Sequence, residues 1–274
     1  MGEEAPGGDS REGDILMPKI PKEPEEIFQE IIDDCRQLFG ADLVSIILYG
    51  SAASGEYVAG RSDVNFMIVL SEQGIDLLDR AFDLIAKWKR RRVATPLFLT
   101  EVYVETSLDV FPIEYLGFQN NHKLVYGKDI LKGLVFDPQY LRLQCEREAK
   151  GKLLLLREAF LESQGKGKHL QQVMAESLGA FVAIFSTLLY LKGDEIPQQK
   201  REVIKAFCQA FDMDGRLFDR LLDVKERRSR LSASELTSLF NNYLREVQKL
   251  WKIVDELDKE YGPAKDDGLV RSPN

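Results

Sequence analysis

Ile47-Leu48-Tyr49-Gly50-Ser51-Ala52-Ala53-Ser54-Gly55-Glu56, followed closely by Arg61-Ser62-Asp63-Val64-Asn65-Phe66-Met67-Ile68-Val69, is the stretch that decides the fold. Leu43 to Tyr49 is a short apolar run rich in β-branched residues, the pattern of a buried strand. It ends in Gly50-Ser51. Eleven residues, 52–62, separate that pair from Asp63, and Val64 to Leu70 reads as a second strand. Residues i and i+2 of a strand face the same side, so Asp63 and Asn65 point together, and a carboxylate from a neighbouring strand can join them. Clustered oxygens of this kind suit Mg²⁺, a hard ion that takes carboxylates, phosphates and water. Gly50-Ser51 offers backbone N–H groups without side-chain obstruction, a turn able to cradle phosphates.

Working outward, residues 25–39 place Ile27, Phe28, Ile31, Ile32, Cys35, Leu38 and Phe39 at helical spacing. Residues 74–92 read as an amphipathic helix carrying Ile75, Leu78, Phe82, Ile85 and Trp88 on one face. Pro96 to Leu99 is a third short strand. Thr100 caps a short helix reaching Thr106. Val110 to Phe118 reads as a further strand, with Pro112 near its start as suits a strand end. Two acids there are candidates for the third carboxylate: Asp109, in Leu-Asp-Val-Phe, and Glu114, in Pro-Ile-Glu-Tyr-Leu. Five residues apart, they face opposite sides of a regular strand, so only one joins Asp63; Glu114 is preferred because residue 109 still lies in the turn.

The character changes at Asp137-Pro138, an N-cap followed by proline at the first helical position. Beyond it the spacing predicts helices over 138–163, 168–192, 197–211, 214–225 and 232–260, the last opened by a Ser232-x-x-Glu235 capping box. The expected organisation is a loose arm over 1–24, an α/β unit with a small mixed sheet over 25–134, an all-α helical bundle over 135–262, and a tail over 263–274.

Composition narrows the function. The 274-residue chain carries a net charge of −8, which disfavours a general nucleic-acid binder, since neutralising phosphates takes a basic face. Cys35, Cys145 and Cys208 are far apart and form no Cys-x-x-Cys pair, which argues against a zinc site or disulfide framework and for a reducing cytoplasm. The apolar run Leu178–Leu191 is shorter than a bilayer requires and reads as a core helix, so no membrane role is expected. Lys87 to Arg92 reads as a solvated helix end favoured by the helix dipole, His122 as a surface or packing residue, and Glu176 as a charged helix flank.

The order and spacing of Gly50-Ser51 and Ser62-Asp63-Val64-Asn65 between two apolar strands resemble the nucleotidyltransferase superfamily that includes polymerase β and the aminoglycoside nucleotidyltransferases. The resemblance covers roughly residues 25–130, and a helical second domain is common in its aminoglycoside and minimal branches. It implies Gly50, Ser51 and Ser62 beside the nucleotide, and Asp63, the residue at 65 and a third acid (Glu114 or Asp109) as metal ligands and catalytic groups. It also implies Mg²⁺-dependent transfer of a nucleoside monophosphate from a nucleoside triphosphate, ATP foremost, to a hydroxyl of a small molecule or protein. The departure is Asn65, where the family usually carries a second carboxylate that bridges both metals. An amide offers a carbonyl oxygen without charge, so metal binding weakens. The alternatives are a catalytically degenerate nucleotide sensor and an interaction protein without a nucleotide site.

Overall fold

The computed structural model describes residues 19–165, 167–226, 228 and 231–257. The expected arm up to residue 18 and the tail lie outside the described residues. β1 (Leu43–Tyr49) falls where the apolar run places it, and β2 (Asn65–Leu70) pairs antiparallel with it, Tyr49 opposite Asn65 and Ile47 opposite Met67. β3 (Leu97–Leu99) runs parallel to β2, and β4 (His122–Gly127) lies antiparallel on the other side of β1. The result is a small mixed sheet in the order β3-β2-β1-β4.

Both faces of this sheet are covered, which is why its two central strands are apolar without alternation. Ile46, Leu48, Phe66, Ile68 and Leu70 pack with α1 (Phe28–Phe39) and α2 (Phe82–Lys89). Ile47, Met67 and Val69 face the other way and share one core with the helices of the second half. Those helices are α5 (Pro138–Glu162), α6 (Gly167–Lys192), α7 (Lys200–Ala210), α8 (Gly215–Lys225) and α9 (Ala233–Glu256). α6 is long and apolar enough to cross a membrane, but more than half of its most apolar stretch is buried inside the protein. Its Phe181 and Phe185 are fully buried, and Phe185 stacks on Phe207 of α7 at 3.9 Å between ring centroids. The expected caps form: Thr100 accepts from the Tyr103 N–H at the head of α3 (Glu101–Thr106), Asp137 from the Gln139 N–H, and Ser232 and Glu235 close a reciprocal box.

Three expectations are corrected. Val110 to Phe118 is not a strand. Its core is α4 (Pro112–Asn120), with Pro112 as a helix-opening residue, and the strand of this region is β4, just beyond. A short apolar run does not separate strand from buried helix by periodicity, and Pro112 fits either a strand edge or the first turn of a helix. A group remote in sequence supports the helix: the Gln144 Oε1 of α5 accepts the Ile113 N–H at 2.9 Å. Second, residues 74–92 are not one helix. A 3₁₀ segment, Gly74–Ala81, is broken at Leu77 and precedes α2; Ala81, Leu84 and Trp88 are buried, whereas Phe82 is 73% exposed. Third, the Lys87–Arg92 run is not simply solvated. Lys87 pairs with Asp34 (2.6 Å) and Glu30 (3.0 Å), Arg91 pairs with Glu30 and sits over the Trp88 ring, and Arg92 reaches Asp63.

Candidate functional site

Where the turn after β1 meets α4, α6 and α7, a cavity of about 400 Å³ opens. The turn contributes Gly50, Ser51, Ser54 and Glu56; α4 contributes Ile113, Glu114 and Leu116; α6 contributes Gly179, Val182 and Thr187; Lys200 and Val203 come from α7. Gly50 has φ +74 and begins a 3₁₀ turn, a backbone state that favours glycine. Its carbonyl accepts the N–H groups of Ala53 and Ser54, both at 3.0 Å. The first amides of such a turn have no acceptor within it, which is what an anion needs.

Glu56, four residues beyond the end of the turn, crosses to α7. Its Oε2 accepts from the Lys200 ammonium at 2.8 Å and its Oε1 from the Lys200 backbone N–H at 3.3 Å. The two side chains are 25% and 42% exposed, so the pair contributes only about 0–1 kcal/mol to stability. Lys225 of α8 stands nearby: a Cβ on Gly179 would lie 2.9 Å from its Nζ. Desolvation, and next the Lys200 charge, hold the Lys225 ammonium below its ordinary pKa, while Glu176 pulls the other way.

Glu114 reaches the cavity from α4, not from a strand. The Gln144 Nε2 donates to its Oε2 at 2.8 Å, so one buried amide both caps α4 and orients the carboxylate. Asp109 is exposed in the turn before α4 and does not line the cavity. Ser62 is used inside its own loop, where its hydroxyl accepts the Val58 N–H at 3.1 Å. Asn65 lies beneath the turn: its Nδ2 donates to the Asp63 carbonyl at 3.4 Å and would stand 3.5 Å from a Cβ on Gly50. The Asp63 carboxylate turns to Arg92, 3.2 Å away.

The structure therefore brings Gly50, Ser51 and Glu114 to one cavity, sets Asn65 under its rim, and leaves Ser62, Asp63 and Asp109 off its wall. Among the described residues, no three His, Cys, Asp or Glu side chains gather as a metal site. β3, the strand beside β2, presents Leu97, Phe98 and Leu99 and so adds no carboxylate. These donors do not fit the two-ion arrangement that the sequence resemblance implies. Sequence reasoning missed Glu56, Lys200 and Gln144. Glu56 lies within the stretch 50–56, but nothing in the sequence marks Lys200 as its partner or Gln144 as the partner of Glu114.

His122, at the start of β4, is a packing residue: Nδ1 bonds the Phe118 and Gln119 carbonyls and Nε2 faces Asp129 at 3.1 Å. Glu176 is an exposed flank, accepting from Gln172.

No family model and no curated protein matches the sequence. Among solved structures, the chain is similar to spectinomycin adenyltransferase AAD(9) from Enterococcus faecialis, solved with ATP and spectinomycin. The identity is 15%, 82% of this chain and 98% of that one are covered, and the TM-score is 0.49. A likeness of that strength bears no weight on activity.

Proposed function

We propose that this chain is a nucleotidyltransferase-like protein whose cavity takes the polyphosphate of a nucleoside triphosphate, ATP foremost. In this reading it transfers the nucleoside monophosphate to a hydroxyl, slowed by Asn65. The observation that carries the reading is the Gly50-Ser51 turn opening onto the same cavity as Lys200, with Lys225 close by. Turn amides and a lysine ammonium are donors that phosphate oxygens take. Gly50 keeps the backbone accessible, Lys200 neutralises phosphate charge, and Glu114, oriented by Gln144, is the acid positioned to hold an acceptor hydroxyl or amine across the cavity. Mg²⁺ would enter with the phosphates it already binds.

A second reading, a nucleotide-binding module without turnover, is favoured by the Asp63–Arg92 contact and by Asn65. Calorimetric titration with ATP, with and without Mg²⁺, tests what the two readings share: wild type binds and Lys200→Gln binds at least several-fold more weakly. Equal affinity in the two proteins would remove the proposed site. Pyrophosphate release in the presence of candidate acceptors then separates them. Release by wild type marks a transferase, and release only by Asn65→Asp marks a degenerate one.

A further inference from the structure

We propose that Glu56 is a built-in occupant of the phosphate seat, a carboxylate that an incoming polyphosphate must displace. The proposal rests on the nucleotide reading above and concerns the regulation of that site. Both Glu56 oxygens are used at the head of α7, on the Lys200 ammonium and the Lys200 amide, and the Ser54 hydroxyl donates to Oε2 at 3.4 Å. An ammonium, an amide at a helix N-terminus and a hydroxyl are the donors a phosphate oxygen takes. Glu56, Ser54 and Lys200 line the cavity together with Gly50 and Ser51. Carboxylate and phosphate therefore compete for one set of groups, and the two cannot occupy it together.

Charge and strength agree with a device that opens. With Glu56 in place, Lys200 is neutralised; with Glu56 displaced, the Lys200 ammonium presents its positive charge to the cavity. The closed pair is partly exposed, and ion pairs of that exposure are weak, so ligand binding suffices to break it. The Glu56 N–H also donates to the Ser51 carbonyl at 2.9 Å. The carboxylate that closes on α7 is thus carried by a residue whose backbone is fixed to the turn.

The test is calorimetric titration of the full chain with inorganic tripolyphosphate, and separately with ATP in Mg²⁺, comparing wild type, Glu56→Gln and Glu56→Ala. Thermal melting checks that each protein is folded. Apparent affinity scales with the open fraction, so both variants bind tripolyphosphate about two- to fivefold more tightly than wild type, the gap narrowing as salt rises. Equal or weaker binding by folded variants overturns the proposal and makes Glu56 a strut between the turn and α7. If wild type still binds ATP in that case, the nucleotide reading stands without the displacement. Failure of all three proteins to bind either ligand removes the nucleotide reading and this inference with it.

Discussion

Tyr243 of α9 and Ser177 of α6 share a hydrogen bond of 2.9 Å in the interior of the bundle, and the Ser177 hydroxyl also donates to the Met174 carbonyl at 2.9 Å. Burial pushes the Tyr243 phenol well above its ordinary pKa. The two partners are not equivalent. Removing the phenol by Tyr243→Phe leaves Ser177 satisfied and costs about 0.5–1.5 kcal/mol. Removing the hydroxyl by Ser177→Ala strands a buried phenol and costs about 1–3 kcal/mol. Urea unfolding of both variants should rank them in that order. Gly127, at the end of β4, is a second point of high cost. It has φ +78, and a Cβ there would stand 2.0 Å from the Val44 carbonyl oxygen. Gly127→Ala is therefore expected to lose more than about 2 kcal/mol, read as a lower unfolding midpoint. The site was legible at this scale only in part. Gly50 and Ser51 announce themselves because a turn between two apolar runs requires small residues. Lys200 lies 144 positions from Glu56, and no local pattern connects them.

Among the elements, α4 shows where sequence reading fails and why. Ile113, Tyr115 and Leu116 are buried, yet their spacing suits a strand and a helix equally, and the residue that supports the helix end, Gln144, comes from α5. Gln144→Leu removes the acceptor of the Ile113 N–H and the donor to Glu114 together. The expected result is a loss of about 1–3 kcal/mol, with weaker ligand binding where Glu114 takes part; Gln144→Glu keeps the acceptor but sets a second carboxylate against Glu114, so it does not recover the stability. By contrast α9 was legible because its start is local: Ser232 and Glu235 answer each other across one turn. Ser232→Ala should cost about 0.5–2 kcal/mol in thermal or urea unfolding. β1 and β2 were legible for a different reason, as central strands buried on both faces form unbroken apolar runs.

For the whole molecule, a set of carboxylates sets the response to acid. The Lys123 ammonium beside Glu25, the Lys150 ammonium beside Glu146 and the Ser232 N–H beside Glu235 hold those carboxyls below their usual range. At Glu30 burial works the other way but Arg91 and Lys87 together outweigh it, and at Asp129 His122 and the Lys132 and Leu131 N–H groups together do the same. Folded values below unfolded ones give stability that is present above the unfolded pKa and lost as pH falls through the folded one. Urea midpoints should thus hold steady at neutral pH and decline from about pH 5 downward. Loss of stability on raising the pH over that window would contradict the assignment of these pairs.

The face-by-face division of β1 and β2 has an optical consequence. The chain has two tryptophans, and they stand on opposite sides of the sheet: Trp88 in the layer of α1 and α2, Trp251 on α9, packed against the bundle core. Each layer thus contains its own fluorophore. Because the strands between them send alternate side chains into both layers, neither emission spectrum should shift to the red before the other. Single-tryptophan proteins made by Trp88→Phe and Trp251→Phe would then report the same cooperative transition in urea, each corrected for its own stability change.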